Sequence, residues 1–324
     1  MPHTILVIGA AGYIGSIATE ILLQEGYNVI ALDDLSKGHK EALFNSVHFY
    51  HTDFGNIAEL KNIFSKNKID VVLHFAGAAL VAESMENPFK YFNINFCQAQ
   101  NLLDVMILFN IKKIVFSSTC AVYGIPKPEE IPIKESTQTK PINPYGESKL
   151  LFEKALEWYK NSAELEYITL RYFNVAGASK NRGERHNPET HLIPLLIRAV
   201  KNKNYGLNVY GNDYPTKDGT TVRDYVHVVD LVYAHILAIK ALLNNKKHQN
   251  IYNIGYGHGY SVLEIINSVQ EVFKTKIPYK ISNKRPGDPP VLIADSRKIK
   301  EDLNWEPKLN DINEMISSAS KFIV

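Results

Sequence analysis

Short apolar, β-branched runs alternate with stretches of helical periodicity through the first half of this chain, and that rhythm leaves few folds open. The runs are Ile5 to Ile8, Asn28 to Leu32, Val47 to Tyr50, Val71 to Phe75, Ile114 to Ser117 and Tyr167 to Tyr172. A strand with one face in water alternates apolar with polar; these runs are apolar at nearly every position, as a strand covered on both faces requires. Between the first two, Ile14, Ala18, Ile21 and Leu22 form an apolar stripe at helical spacing. The expected fold is α/β, a doubly wound parallel sheet of the Rossmann kind.

After Gly177 the character changes. Ala178 to Thr190 is polar and basic, a helical stretch begins near His191, and Gly211 to Gly219 is rich in Gly, Pro and Asp. The expectation is a nucleotide-binding domain over 1–177 and a smaller C-terminal α/β substrate domain over 178–324. Ile251 to Ile254 reads as one more buried strand, expected to return to the first sheet.

Charge and cysteine content narrow the class further. With 36 Lys plus Arg against 34 Asp plus Glu, the formal charge of +2 offers no broad basic field, so no nucleic-acid partner is expected. Cys97 and Cys120 fall in no metal or redox motif; both read as core residues of a reduced, cytoplasmic protein, and no metal is expected. The opening Thr4 to Gly15 is broken by glycines and has neither a basic leader nor a cleavage-like site. The longest apolar stretch, Val71 to Ala82, contains His74 and is too short to span a bilayer, so no membrane association is expected.

The first strand runs into Gly9-Ala10-Ala11-Gly12-Tyr13-Ile14-Gly15 and then into a helix. Glycines there let the backbone turn tightly and approach a pyrophosphate, while the helix N-terminus presents unpaired N–H groups to the anion. The GxxGxxG spacing is a relative of the dinucleotide fingerprint. Asp33 and Asp34 end the second strand, where an acid can accept from adenosine ribose hydroxyls and repels a 2′-phosphate, which favours NAD over NADP. Asp53, after the third strand, is placed either to reach the adenine or to cap a helix.

A second constellation follows. Tyr145-Gly146-Glu147-Ser148-Lys149 comes after the turn signal Asn143-Pro144 and opens an apolar-periodic stretch through Phe152, Ala155, Leu156 and Tyr159. Positions i and i+4 share a helix face, so the Tyr145 hydroxyl and the Lys149 ammonium can converge. A nearby cation favours tyrosinate, which predicts a general base. The fifth strand ends in Ser117-Ser118-Thr119, hydroxyls at the strand edge where open α/β sheets bind ligands.

Taken with GAAGYIGS, HFAG, SSTCAVYG, NPYGESK, RYFNVAGA, NPETHLIP, GNDYPTKDGTTVRDYVHVVDL and RPGD, these features make the chain resemble the extended short-chain dehydrogenase/reductase family, and within it the UDP-glucose 4-epimerases. The blocks span nearly the whole chain. The resemblance implies NAD-dependent interconversion of UDP-glucose and UDP-galactose in a homodimer. Tyr145 would take the 4-hydroxyl proton while hydride passes from C4 to NAD; the 4-keto sugar would turn its other face and take the hydride back. Lys149 would hold the nicotinamide ribose and tune Tyr145, and Thr119 would hydrogen-bond the reacting oxygen.

The resemblance further implies that Phe75, Ala76, Asn95 and Ser117 lie along the cofactor, with Tyr172 near the nicotinamide. Asn174, His191 and Leu192 would meet the nucleotide sugar, Asn208 and Tyr210 would flank the uracil, Arg223 and Arg285 would bind the substrate pyrophosphate, and Asp288 would accept from the uridine ribose. Leu292 stands where side-chain bulk governs whether an N-acetyl group fits; leucine is smaller than the tyrosine of restrictive members, so UDP-N-acetylglucosamine is expected as a further substrate. Two departures are Ala79, where many bacterial members carry a cofactor-touching Lys, and Asn95-Phe96-Cys97-Gln98, where Asn-Val-x-Gly is usual. The rival readings are a sugar-nucleotide 4,6-dehydratase or decarboxylase, and a non-catalytic NAD-sensing protein. The first is opposed by Thr119-Cys120-Ala121, which lacks the carboxyl group those reactions use there, and the second by retention of the Tyr/Lys pair.

Overall fold

The structure, a computed structural model, describes residues 2–202, 205–285 and 287–323. Its strands are β1 (Thr4–Ile8), β2 (Asn28–Asp33), β3 (His48–His51), β4 (Val71–His74), β5 (Lys113–Thr119), β6 (Glu166–Tyr172), β7 (Asn174–Ala176), β8 (Asn208–Tyr210), β9 (Val222–His227), β10 (Ile251–Ile254), β11 (Gly259–Ser261), β12 (Lys280–Ser282) and β13 (Val291–Leu292). The helices are α1 (Tyr13–Gln24), α2 (Ile57–Lys66), α3 (Val81–Glu86), α4 (Pro88–Phe92), α5 (Ala99–Leu108), α6 (Pro144–Ala163), α7 (Leu192–Lys201), α8 (Val228–Leu243), α9 (Val262–Phe273), α10 (Arg297–Leu303) and α11 (Ile312–Ala319).

The main sheet has seven strands in the order β10-β6-β5-β4-β1-β2-β3. Every adjacent pair is parallel. The chain reverses direction across the sheet between β1 and β4, the switch point at whose carboxyl ends such sheets bind ligands. One face is covered by α1 and α8 over a core of Val7, Ile17, Leu231 and Tyr252. The other is covered by α2, α5 and α6 over Leu6, Leu103, Phe116 and Phe152. The stripe expected on α1 is wider than predicted, with Ile17 and Thr19 buried as well, because α8 packs beside α1 on the same face of the sheet.

Strand β10 pairs with β6 at the edge of this sheet. Beyond it, β11, β9 and β13 form a small mixed sheet to which β7 adds by pairing with β9, and β8 pairs with β12. A separate core of Leu196, Ile197, Ile265 and Met315 lies under α7, α9 and α11. Among the described residues no helix is long and apolar enough to cross a membrane. Cys97, expected in the core, is instead exposed, because it falls on the outer side of a π-helical turn, Asn93–Gln98; Cys120 is buried.

Candidate functional site

The β1–α1 turn is formed by backbone packed against backbone. Gly9 has φ +84°, and a Cβ there would lie 2.7 Å from the Ala76 nitrogen. A Cβ on Gly15 would lie 1.9 Å from the Gly9 carbonyl oxygen, so only glycine fits. Helix α1 begins on Gly12 with no side-chain cap, and its first intrahelical donor is the Ser16 N–H, to the Gly12 carbonyl. The N–H groups of Tyr13, Ile14 and Gly15 are therefore the ones a helix N-terminus leaves for an anion.

Asp33 closes the second side of this cradle. Its carboxylate accepts from Ala11 N–H at 2.9 Å and from Leu35 N–H at 2.8 Å. Burial raises its pKa, with those two hydrogen bonds opposing. Asp34 is exposed and accepts from the Ser36 N–H and hydroxyl. Asp53, also exposed, accepts from Gly55 N–H and Gln98, while the helix cap is Asn56. This set fits a dinucleotide: a side-chain-free helix start, a turn that rejects any Cβ, and an acid beside it.

Helix α6 positions the dyad. The Asn143 side chain accepts from Gly146 N–H at 2.8 Å and Pro144 occupies the first turn, so the helix starts immediately before Tyr145. Lys149, one turn on, is 4% exposed and donates to the Ser117 carbonyl at 3.0 Å. Its ammonium also lies 4.9 Å from the centre of the Phe116 ring. Thr119 is buried at the end of β5, where its hydroxyl accepts from Ala121 N–H at 3.1 Å.

Electrostatics in the ligand-free chain differ from the simple expectation that the ammonium holds the phenol down. Burial pushes the Tyr145 phenol up to about 12, opposed by a hydrogen bond with Thr119 and reinforced by the Cys120 thiol. Burial also lowers Lys149 to about 8, opposed by Glu153. Desolvation thus dominates both members of the pair.

The remaining residues expected along a cofactor have defined partners. Asn95, 2% exposed, accepts from Ala78 N–H at 2.8 Å and donates to the Ala78 carbonyl at 2.9 Å and Ser148 Oγ at 3.0 Å. Its amide ties the chain after β4 to α6. Phe75 packs on His235, their ring centres 4.8 Å apart, and the Tyr172 hydroxyl lies 2.5 Å from His235 Nε2. The Tyr13 hydroxyl donates to the Gly177 carbonyl at 2.6 Å.

The residues expected to meet a substrate gather differently. Arg223, on β9, is hydrogen-bonded to the Asp288 carboxylate. Arg285 lies over the Tyr210 ring, 4.0 Å from its centre, and Asn208 is exposed on β8, accepting from Ser282. Leu292 pairs in register with Arg223 and packs in one cluster with Cys120, Val122 and Leu150. Those are chain neighbours of Thr119 and Lys149, so this cluster joins the two sides. Asn174 lies on β7 and His191 caps α7 ahead of Leu192, with the His191 ring against Glu184 and Glu189. Burial opposes charge on both members, but these contacts hold Glu184 down at about 2 and His191 up at about 10.

Sequence reasoning missed the scaffold behind the dyad. Glu153 is buried and receives a forked contact from Arg171 on β6, at 3.0 and 2.5 Å, and the Ser118 hydroxyl at 2.5 Å. Arg171 also donates to Tyr123, which donates to Asn253 on β10. A signal was present: Glu153 is i+4 from Lys149, a third polar group on a buried helix stripe. Tyr91, also missed, sets its ring edge-on to Tyr145 at 6.3 Å.

The NAD dependent epimerase/dehydratase family matches residues 5–255. The UDP-glucose 4-epimerase of Lacticaseibacillus casei is 48% identical over 318 residues, covering 98% of this chain and 95% of that protein. The UDP-glucose 4-epimerase of Brucella ovis, solved in complex with NAD, superposes with a TM-score of 0.94 at 39% identity, covering 98% of each chain. That of Bifidobacterium longum, solved with NAD+ and UDP, gives 0.92 at 38% identity, covering 98% of this chain and 97% of the other.

Proposed function

The chain belongs to the NAD dependent epimerase/dehydratase family, and from that premise we propose that it is an isomerase that interconverts UDP-glucose and UDP-galactose by inversion at C4, with NAD as resident cofactor. The observation that carries this reading is the Tyr145 and Lys149 pair on α6, set against Ser117 and Thr119 at the carboxyl end of β5, with no carboxylate at 120 or 121. Bound NAD supplies a two-electron acceptor for the C4 hydrogen that also gives it back.

The chain's own residues do the rest. Gly9, Gly12, Tyr13, Ile14 and Gly15 hold the cofactor pyrophosphate and Asp33 its ribose, Phe75, Ala76 and Ser117 lie along the cofactor, and Tyr172 sits near the nicotinamide. Thr119 orients the substrate 4-oxygen while Tyr145 Oη takes its proton and returns it. A phenol pushed up to about 12 by burial must be brought down before it can act, and this reading gives that task to the Lys149 ammonium one turn away on the same helix face. Arg223 and Arg285 bind the substrate diphosphate, a match of guanidinium forks to phosphate oxygens. This reading divides the work between residues 1–177, which hold the cofactor, and 178–324, which hold the nucleotide sugar.

Leucine at position 292 supports a second substrate, UDP-N-acetylglucosamine. A cytoplasmic homodimer is the proposed state; the exposed Phe89 on α4 and Trp158 on α6 are apolar surface suited to a second copy. A panel of UDP-hexoses with product identification tests the whole reading. Expected is a mixture of UDP-glucose and UDP-galactose from either one; a 4-keto-6-deoxy product, or no conversion by NAD-loaded protein, overturns it.

A further inference from the structure

We propose that Glu184, His186, Glu189 and His191 form a binding site for one divalent transition-metal ion, with Zn2+ the best chemical match. The expectation of a metal-free chain rests on cysteine spacing and leaves this eight-residue stretch unweighed. Each of the four side chains offers one ligand atom, and those atoms lie within 4.8 Å of one another. Glu184 Oε1 is 2.7 Å from Nδ1 of both His186 and His191, and Glu189 Oε1 is 2.9 Å from Nδ1 of His191.

Three features separate this cluster from an ordinary surface ion pair. The carboxylates are buried, with side chains 6% and 1% exposed. Both imidazoles turn the same ring atom toward one carboxylate oxygen, their ring centres 5.2 Å apart. Among the described residues, no lysine or arginine forms an ion pair with either glutamate. Two carboxylates taken from water need compensating positive charge, and a dication held by all four side chains supplies it.

Two nitrogen and two oxygen donors suit a borderline cation, and four protein ligands make a closed, structural site. Metal–ligand bonds of about 2.0–2.2 Å put neighbouring donors about 3.3–3.6 Å apart in a tetrahedron, so contacts of 2.7 to 2.9 Å need only a small opening. The segment is already fastened to the stretch that follows β2. His39 Nε2 is 2.8 Å from the Arg185 carbonyl, and Lys37 donates to the Asn187 carbonyl at 3.1 Å. The Tyr13 ring meets His186 edge-on at 6.3 Å. The ion thus fixes the start of α7, where His191 and Leu192 sit, against the start of α1. This assignment stands apart from the proposed reaction.

The test uses the purified full-length chain, stripped with a chelator and then titrated with Co2+. Expected is one equivalent taken up per chain, giving visible d–d bands of four-coordinate nitrogen and oxygen ligation, displaced by one equivalent of Zn2+. His186→Ala and Glu184→Gln, checked for native circular dichroism, should lose the bands and bind Zn2+ at least tenfold more weakly. Zn2+ should raise the thermal midpoint of the parent chain and not of His186→Ala. No stoichiometric uptake by the folded parent chain overturns the assignment, as does equal uptake by a folded variant or a sulfur-to-cobalt charge-transfer band, which would place the ion on a cysteine. If neither variant folds, the parent spectrum decides alone: four-coordinate bands support the site and their absence overturns it.

Discussion

The glycine turn after β1 is built of backbone against backbone, whereas the groups gathered at β8, β9 and β13 are side chains paired with one another. The first is closed by contacts that tolerate no extra atom, such as Gly15 against the Gly9 carbonyl, and by an acid held by two N–H groups. The second is held by pairs that use the groups a ligand needs: Arg223 with Asp288, and Arg285 with Tyr210. A diphosphate arriving there must compete for guanidinium groups already engaged. In the proposed reading the cofactor end is therefore preorganised, and the substrate end rearranges as it binds.

The hinge between these ends is Tyr145, and its removal gives the largest expected effect. Tyr145→Phe keeps the ring packing against Tyr91 and removes the hydroxyl to which the proposed reaction gives the proton transfer. We predict a fall in turnover of about 10²–10⁴-fold with NAD affinity unchanged, measured by coupled assay and calorimetry. Unaltered turnover would remove Tyr145 from the reaction. Gly15→Ala probes the backbone-built end: its Cβ would meet the Gly9 carbonyl oxygen at 1.9 Å. Overpacking of this kind costs about 1–3 kcal/mol, so NAD affinity or the unfolding midpoint should drop accordingly. Full tolerance would mean that the turn is as adaptable as the substrate end.

Arg223→Ala tests that adaptable end. Losing a charge-assisted hydrogen bond of about 1.5–3 kcal/mol predicts a KM for UDP-glucose raised about 10- to 100-fold with kcat nearly kept. Asp288→Ala also frees Arg223, so its KM should rise less; a larger rise than that of Arg223→Ala would show that the pair, rather than the arginine, does the binding.

Titration sharpens the contrast at the cofactor end. Lys149 is lowered by burial to about 8 from an ordinary 10.5. Between those values the native chain holds fewer protons than the unfolded one, so this group's effect on stability becomes more favourable as pH rises. The ammonium that supports tyrosinate is lost over the same window. With NAD saturating, kcat should fall above about pH 8 without native structure being lost, read by rates and circular dichroism on the same samples. A kcat flat to pH 10 would dissociate Lys149 from the proton step.

What could be read from the sequence follows the same division. The glycine turn, Asp33 and the Tyr/Lys spacing were legible because each is set by residues close along the chain, where helix and strand periods dictate which groups meet. Five of the six strands, β1, β2, β4, β5 and β6, were legible because burial on both faces makes them largely apolar, whereas β3 lies at the sheet edge with its residues exposed or half-buried. The Glu153, Arg171, Tyr123 and Asn253 network was not, since its members come from α6, β6, the turn after β5, and β10, and no local period links them. The pairing of Arg223 with Asp288 was hidden for the same reason. Cys97 was misread because a π-helical turn shifts the phase of the helix that carries it.

The smallest change expected on the main reaction tests whether shape at the substrate end is negotiable. Leu292 is buried with Cys120, Val122 and Leu150 and lies in register with Arg223, so a larger side chain must displace either that cluster or the space beside the sugar. The flanking segment is a two-residue strand, which yields more easily than the seven-stranded sheet. Leu292→Tyr should therefore keep UDP-glucose turnover within about tenfold. It should reduce turnover of UDP-N-acetylglucosamine by a further 10–200-fold, the range that one misfitting small group commands. Kinetics on both sugars with a single preparation check this. Equal losses on the two would mean that the tyrosine disturbs the Cys120 and Leu150 cluster and, through it, Thr119 and Lys149, and the substrate end would then be as rigidly coupled as the glycine turn.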